Sequence, residues 1–534
     1  MTAIDTAAAT HTDDEGTILV DHPEGKSSNT LGFVAMVVGM FMAILDIQIV
    51  ASSLSEIQAG ISASREEISW VQTSYLIAEV VMIPLSGWLS HLLSTRVLFA
   101  VSAGMFTIAS MACAVAWNLE SMVLFRVLQG FLGGAMIPTV FATSYLLFRG
   151  SKQGMVTVFI GLVATMAPTI GPSLGGYLTD TFSWHWLFLM NVVPGIIVTI
   201  VVWTQLDVDR PNLSLLKGFD LPGILFVALF LGCLQYVLEE GPGDDWLQSD
   251  EIALLCLVCA VSAVLFFWRE LTTEHPVVDL RAFANPNFAL GCLFSFIVGI
   301  GLYGSVYVMP LFLSMVRGYN ALEIGWVLMV TGGFQFLSAP LAGALSKKLD
   351  PRLMLGLGLV FFGLGLYLSH TLTADWSYWE FFLPQAVRGI SLMFIFIPVN
   401  ALALGTLPPH LLKGGAGLYN LMRNLGGAIG LAVINTLLTN RHDLHLWHLK
   451  ENLTAARDSV VNALNSMTMM LGPAVGSDAH QVAVKTMARL AEREAWVLSF
   501  GDIFQLMAIP FVTGLLFIPL MRKVDLGAAG KDAH

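Results

Sequence analysis

Residues 31–51 read LGFVAMVVGMFMAILDIQIVA, an apolar run that carries one acid, Asp46. A helix of about 20 apolar residues covers the hydrocarbon core of a bilayer. The stretch therefore predicts a membrane span with a carboxyl group inside it. An ionisable group at that depth costs a few kcal/mol or more unless it meets a cavity or a partner. Glu79, Arg126, Arg388 and Arg423 stand in other apolar runs of the same kind. A chain with several such charges is expected to move charge or polar cargo through a membrane.

Composition agrees. The chain has 534 residues, is 56% hydrophobic and 12% charged, and has a mean hydropathy of +0.73. Soluble domains hold roughly 25% charged residues, so this is a polytopic membrane protein. The formal net charge of -12 gathers in Asp13, Asp14 and Glu15 and in Glu239, Glu240, Asp244, Asp245 and Asp250. No basic stripe is present, which argues against nucleic acid as a partner. All five cysteines lie in apolar runs, and the CxxC of Cys256 and Cys259 has no histidine or second pair beside it. These read as small hydrophobes rather than as metal or redox sites, and no cofactor is implied. Residues 1–30 are polar and acidic, lacking the basic start and cleavage site of a signal peptide. They read as a disordered cytoplasmic tail.

Fourteen spans are expected, the first six at about 31–51, 69–90, 96–117, 122–147, 154–178 and 184–204. Two more follow at about 220–239 and 251–269, then six at about 288–312, 322–345, 353–371, 378–406, 413–438 and 500–521. With the N-terminus inside, the inner loops hold Arg96, Arg149, Lys152, Arg210, Lys217, Arg269, Arg281, Lys347, Lys348, Arg352 and Lys413, and the tail of 522–534 adds Arg522 and Lys523. Short outer loops hold only Arg65 and Arg317, and the outer loop Glu239–Glu251 has six acids and no base. This bias places both termini in the cytoplasm. The segment at about 440–498 is polar, has helix-like stretches at 453–464 and 483–495, and is expected on the outer face. Its His442, His445 and His448 recur every third residue, yet no thiolate or carboxylate cluster completes a metal site, so a solvated or membrane-skirting helix is expected.

The chain echoes itself. Gly87-Trp-Leu-Ser leads to Arg96 after the second span, and Gly343-Ala-Leu-Ser-Lys-Lys leads to Arg352 after the tenth. Arg126-x-x-Gln129-Gly130 in the fourth span is echoed by Arg388-Gly389 in the twelfth. Related halves mark secondary transporters, whose site lies between the halves near the midplane. If spans seven and eight are an insertion, each half has six helices: 31–204 and 288–521, with 205–287 between them. In the fifth span, Pro168 precedes Gly171-Pro172-Ser173-Leu174-Gly175-Gly176. Small residues let helices approach and prolines interrupt the hydrogen-bond ladder. Packing with a kink competes here with a hinge or leak-sealing role.

On these residues the chain resembles the major facilitator superfamily. Gly171–Gly176 looks like its antiporter motif, and Arg126-Val-Leu-Gln129-Gly130 like its fourth-helix arginine motif. Leu45-Asp46-Ile-Gln48-Ile-Val50 resembles the LDxTIV signature of fourteen-helix drug:proton antiporters. Trp184-His-Trp186-Leu-Phe188-Leu-Met-Asn191-Val-Val-Pro194-Gly195 resembles their WRWIFxINxPxG, and His275-Pro276-Val-Val-Asp279-Leu280-Arg-Ala-Phe283 a signature between their eighth and ninth helices. The resemblance covers about 40–438 and, through the large loop before the last helix, points to the EmrB type rather than the QacA type. It implies an all-α integral membrane fold of two six-helix bundles plus two inserted helices. It also implies a bacterial inner (cytoplasmic) membrane location, and a periplasmic adaptor and an outer-membrane channel as partners. One loop motif departs: Gly87-Trp-Leu89-Ser-His91 leads to Arg96, with His91 at the usual aspartate position and most basic positions lost. The second-half loop (Lys347, Lys348, Asp350, Arg352) is the expected substitute for its locking charge network. Gln48, Ser55 and His185 also replace the family's threonine, proline and arginine.

A carboxyl group at Asp46 depth can gain and lose a proton as its surroundings change. Proton coupling is thus expected there, against a structural hydrogen bond to a neighbouring helix. Glu79 reads as a proton or cation site or as a partner for Arg126. The family resemblance links Arg126 to proton coupling, against a packing role. Arg423, within Asn420-Leu-Met-Arg423-Asn424-Leu-Gly426-Gly427, either tunes a carboxylate or packs, and Arg388 is similar. Phe294, Tyr303, Tyr307 and Phe334 are candidates to line an apolar cavity. The expected activity is proton-driven export of amphipathic drugs or toxic compounds. A dedicated exporter of a fatty acid, siderophore or metabolite is the alternative. An enzyme would need clustered His/Asp or Ser/His chemistry, and none is visible.

Overall fold

The computed structural model describes residues 10–12, 18–20 and 27–523, except 65, 66, 149, 150, 219, 275 and 455. Arg65, Arg149 and His275, the acids at 13–15 and the tail beyond 523 lie outside the described residues. Among the described residues, fourteen helices are long and apolar enough to cross a membrane.

The first half comprises α1 (Ser27–Ala51), a short α2 (Leu54–Ile61), α3 (Trp70–Leu93), α4 (Thr95–Ala114), α5 (Leu119–Leu147) and α6 (Ser151–Thr181). Its sixth crossing is made by α7 (His185–Leu189) with α8 (Val192–Gln205). The inserted pair is α9 (Leu221–Glu240) and α10 (Asp250–Thr272). The second half comprises α11 (Pro286–Met315), α12 (Ala321–Leu345), α13 (Pro351–Ser369), α14 (Tyr378–Ala403) and α15 (Leu412–Asn452), then α16 (Asp458–Val475) and α17 (Ala479–Gly514). Helix starts follow local chemistry. Asn118 and Ser121 form a capping box on α5, and Asn320 and Glu323 one on α12. Asn285 before Pro286, and Asp350 before Pro351, cap α11 and α13.

Helices of each half pack mainly within it, and α10 packs mainly on α9, leaving much of its apolar surface facing outward. Two seams join the halves. Along α6 and α12 the contact runs the length of the helices: a Cβ on Gly325 would lie 2.9 Å from Ser173 Cβ, and one on Gly343 2.9 Å from Val158 Cγ2. Along α3 and α15 it is tightest near one end, where a Cβ on Gly87 would lie 2.7 Å from Gly414 Cα. That end, with Arg96, Arg352 and Lys413, is called the basic face below. The opposite end, with the loop Glu239–Glu251, is the acidic face.

One expected boundary changes. The span expected at 413–438 does not stop there: α15 runs on to Asn452, because the polar residues after 438 continue the helix and project beyond the apolar layer. With α16 and the first turns of α17 it forms a helical prominence, anchored where His442 stacks on Trp496 (3.9 Å between ring centroids) and His445 meets Asp502 at 2.9 Å. Near the N-terminus, β1 (Thr10–Thr12) pairs antiparallel with β2 (Ile18–Val20). Phe334, a candidate to line an apolar cavity, lies among Trp326, Tyr378 and Phe382 in an outward-facing groove of about 210 Å³ between α12 and α14, where Gly333 leaves the surface open.

Candidate functional site

Asp46 and Arg126 are both fully buried, and Arg126 Nη1 lies 2.6 Å from Asp46 Oδ2. The other carboxylate oxygen accepts from Gln129 Nε2 at 3.0 Å and Asn191 Nδ2 at 2.8 Å. Arg126 is fixed in turn: Nε donates to the Val71 carbonyl at 3.0 Å, Nη1 to Gln129 Oε1 at 2.8 Å, and its guanidinium lies 4.1 Å from the Tyr75 ring centre. Asn191 is held by Ser110 Oγ at 3.2 Å. Helices α1, α3, α4 and α5 and the turn before α8 thus converge on one ion pair. Charge-assisted bonds of this kind are about twice as strong as neutral ones, and they satisfy a carboxylate that burial alone would punish.

The helix geometry explains the spacing. Arg126 and Gln129 are neighbours on one face of α5, as residues three apart must be. Gly130, on the next turn position, lets α3 approach: a Cβ there would lie 2.9 Å from Tyr75 Cα. Asn191 was not singled out from the sequence. An asparagine just before a helix reads as a cap, and only its place in the WHWLFLMN segment hinted otherwise. Tyr75 was missed because an aromatic in a span reads as core.

Glu79 lies one turn after Tyr75 on α3, also buried; among the described residues it makes no hydrogen bond to Arg126 and its Oε1 has no partner. It lies within electrostatic reach of Arg126 and Asp46 on one side and of Arg423, from the other half, on the other. Arg388 is buried on α14 with Nε and Nη1 unpartnered, its guanidinium 5.9 Å from the Phe362 ring centre.

The proline–glycine stretch stays helical through Pro168 and Pro172. Gly171 faces the Gln48 side chain, and a Cβ on Gly175 would lie 2.9 Å from the Ile49 carbonyl. These glycines seat α6 against α1 close to Asp46. Gly176 is half-buried, and its carbonyl accepts the Thr179 hydroxyl at 3.0 Å.

On the basic face the expected second-half substitute does not bridge the halves through Asp350 and Arg352. They pair with each other at 3.0 Å, and Arg352 also donates to the Met521 carbonyl at 3.1 Å, both inside the second half. The clasp is elsewhere. Lys413, in the first turn of α15, pairs with Asp209 from the segment after α8 and donates to the Ser90 carbonyl at 3.2 Å. Asp209 also accepts from the Thr95 backbone N–H at 2.9 Å and hydroxyl at 3.0 Å, tying the pair to the start of α4. His91, at the degraded position, contributes its carbonyl to the Asn212 N–H at 3.2 Å.

The model of the Major Facilitator Superfamily matches residues 36–431. The chain belongs to this family. It is similar to the colistin resistance protein EmrB of Acinetobacter baumannii, 44% identical over 92% of this chain and 96% of that one. The multidrug export protein EmrB of Haemophilus influenzae is 30% identical over 92% of this chain and 96% of that one. The superfamily's proton:xylose symporter XylE, solved with 6-bromo-6-deoxy-D-glucose, superposes with a TM-score of 0.59 at 12% identity, over 94% of this chain and 97% of that one, which speaks for the fold alone. This family member is therefore an EmrB-type multi-pass membrane protein of the drug-efflux kind.

Proposed function

We propose that this chain exports amphipathic toxic compounds across the cytoplasmic membrane in exchange for protons, with Asp46 and Arg126 as the coupling pair. The observation that carries the reading is the fully buried pair with its three amide and guanidinium donors. A proton on Asp46 removes the charge that holds Arg126. The guanidinium then keeps Gln129, the Val71 carbonyl and the Tyr75 ring. That change in α1–α5 attachment is the switch that favours return of the empty transporter, and cargo binding with proton release favours export. By linkage, cargo and proton each weaken the other's binding.

The excess of Lys and Arg assigns the basic face to the cytoplasm and the acidic face to the outside. The helical prominence of α15, α16 and α17 then lies in the periplasm, where it is positioned to meet an adaptor that continues to an outer-membrane channel. The relative named for colistin resistance and the one named for multidrug export support a toxic-compound cargo.

Purified protein in liposomes with an internal pH-sensitive dye tests this. Lipophilic cations, neutral uncouplers and fatty acids are added in turn to wild type and Asp46→Asn. Proton movement with one class, lost in the variant, is the expected result and names the cargo class. Proton movement that survives Asp46→Asn would overturn the assignment of the pair and shift coupling to Glu79.

A further inference from the structure

Glu79 and Arg423 present a second arrangement of buried charge, and it is built differently from the first. Glu79 comes from α3 of the first half and Arg423 from α15 of the second. Both are buried, yet among the described residues Glu79 Oε1 and Arg423 Nη1 have no hydrogen-bond partner. Arg423 Nη2 is held by Asn420 one turn away, which aims the guanidinium without neutralising it. Its charge lies 5.4 Å from the Phe141 ring centre of the first half and 5.7 Å from that of Phe396 in the second. Tyr303, from α11, donates to Asn424 Oδ1 at 3.3 Å and is within electrostatic reach of both charges. A Cβ on Gly427 would lie 3.0 Å from Tyr303 Cγ, so this ring is seated on a bare helix face.

We propose that Glu79 and Arg423 read the polar head of the cargo, selecting amphiphiles that carry a positive and a negative group on one head. An acid and a base buried within reach of each other but left unpaired are each expensive. A head group of one sign satisfies one and strands the other. A dipolar head satisfies both, while Phe141 and Phe396, whose rings face the Arg423 guanidinium, take up its apolar part. Because the two charges come from opposite halves, such a head also bridges the surfaces that must move in transport. This rests on the export reading, and it gives Glu79 a role in cargo recognition rather than in proton coupling.

Equilibrium binding to protein in nanodiscs tests it, with empty nanodiscs as the control for partition. Three probes share one dodecyl chain: dodecyltrimethylammonium, dodecanoate and a dodecyl betaine. Wild type is expected to bind the betaine on the order of ten-fold more tightly than either single-charge probe. Glu79→Gln is expected to lose that advantage and to weaken the ammonium probe while sparing dodecanoate. Arg423→Met does the reverse, and Arg423→Lys restores part of the dodecanoate binding. Equal losses for all three probes in both variants would overturn the proposal, since the pair would then only staple the halves. So would the absence of a betaine advantage in wild type. Asp46→Asn separates the two readings. If it keeps the probe ranking while losing proton exchange in liposomes, both stand. If wild type shows the ranking but moves no protons with any probe, only the coupling reading falls.

Discussion

Arg126 and Arg388 occupy echoing places, each in the fourth helix of its half, and the chain treats them differently. Arg126 has an acid, a glutamine, a carbonyl and an aromatic face. Arg388 has only the edge of a ring environment at 5.9 Å and two unpartnered nitrogens. The first half thus holds its arginine in a buried ion pair, and among the described residues the second half's arginine meets no acid. On the exchange mechanism proposed above, the first half carries the proton-binding pair and the second supplies fixed positive charge. The packing that frames them is shared. In the first half Gly171 and Gly175 seat α6 on α1, and in the second Gly426 and Gly430 seat α15 on α11.

The largest predicted difference follows from removing each arginine. Arg126→Met leaves the Asp46 carboxylate buried without its counter-charge, and breaking such a pair costs about 3–5 kcal/mol. Transport is expected to be lost and the melting temperature in detergent to fall sharply. Arg388→Met strands no acid, so the melting temperature is expected to hold or rise. Equal losses at both sites would break the comparison.

The next effect concerns the clasp; among the described residues no ion pair joins α3 to α15 on the acidic side. Asp209 and Lys413 are a buried pair, so Lys413→Met is expected to open the basic face. In a cysteine-free background with one cysteine at Ile83, a thiol reagent added from that face should react about ten-fold faster, the change in opening equilibrium that ~1.4 kcal/mol produces. Asp209→Asn combined with Lys413→Met should add little to either alone. An unchanged rate in Lys413→Met would show that the glycine contacts alone close this face.

Gly175→Ala tests the shared frame. Its methyl would meet the Ile49 carbonyl at 2.9 Å, and overpacking of this kind costs roughly 1–3 kcal/mol. A fall of a few degrees in melting temperature is expected, with a larger fall in transport than Gly333→Ala, where nothing lies within 4 Å.

The smallest effect belongs to Asp350 on the basic surface. Its hydrogen bonds and ion pair with Arg352 hold its carboxyl below the usual carboxylate range. A lowered folded-state value means that the stabilisation is present at neutral pH and is lost as pH falls through that range. Because the pair is solvent-exposed, its contribution is small. Melting curves of wild type and Asp350→Asn should differ slightly and constantly from pH 6 to 8 and converge on acidification.

The membrane fold was legible because bilayer thickness imposes a length on apolar runs, and 31–51 already shows it. Asp46 and Arg126 stood out singly because charge at depth is rare, and Gln129 through the motif it shares with Arg126, but their pairing was not legible: Glu79 was the partner considered for Arg126. The three gather, although they lie up to 83 residues apart. Asn191 and Tyr75 did not stand out, since neither residue type is unusual where it stands. Lys413 and Asp209 were hidden for a different reason. They are 204 residues apart, and a lysine at a helix end reads first as a mark of topology. The length of α15 was misread because polar composition ends a membrane span without ending a helix.

The central claim is that cargo and proton compete through Asp46. Calorimetry of dodecyltrimethylammonium and dodecyl betaine binding, in buffers of different ionisation enthalpy at neutral pH, reads the number of protons exchanged directly. The account predicts proton release on binding to wild type and none on binding to Asp46→Asn at comparable affinity. Undiminished release from Asp46→Asn, or binding to wild type with no proton released at any pH between 5 and 9, would contradict it.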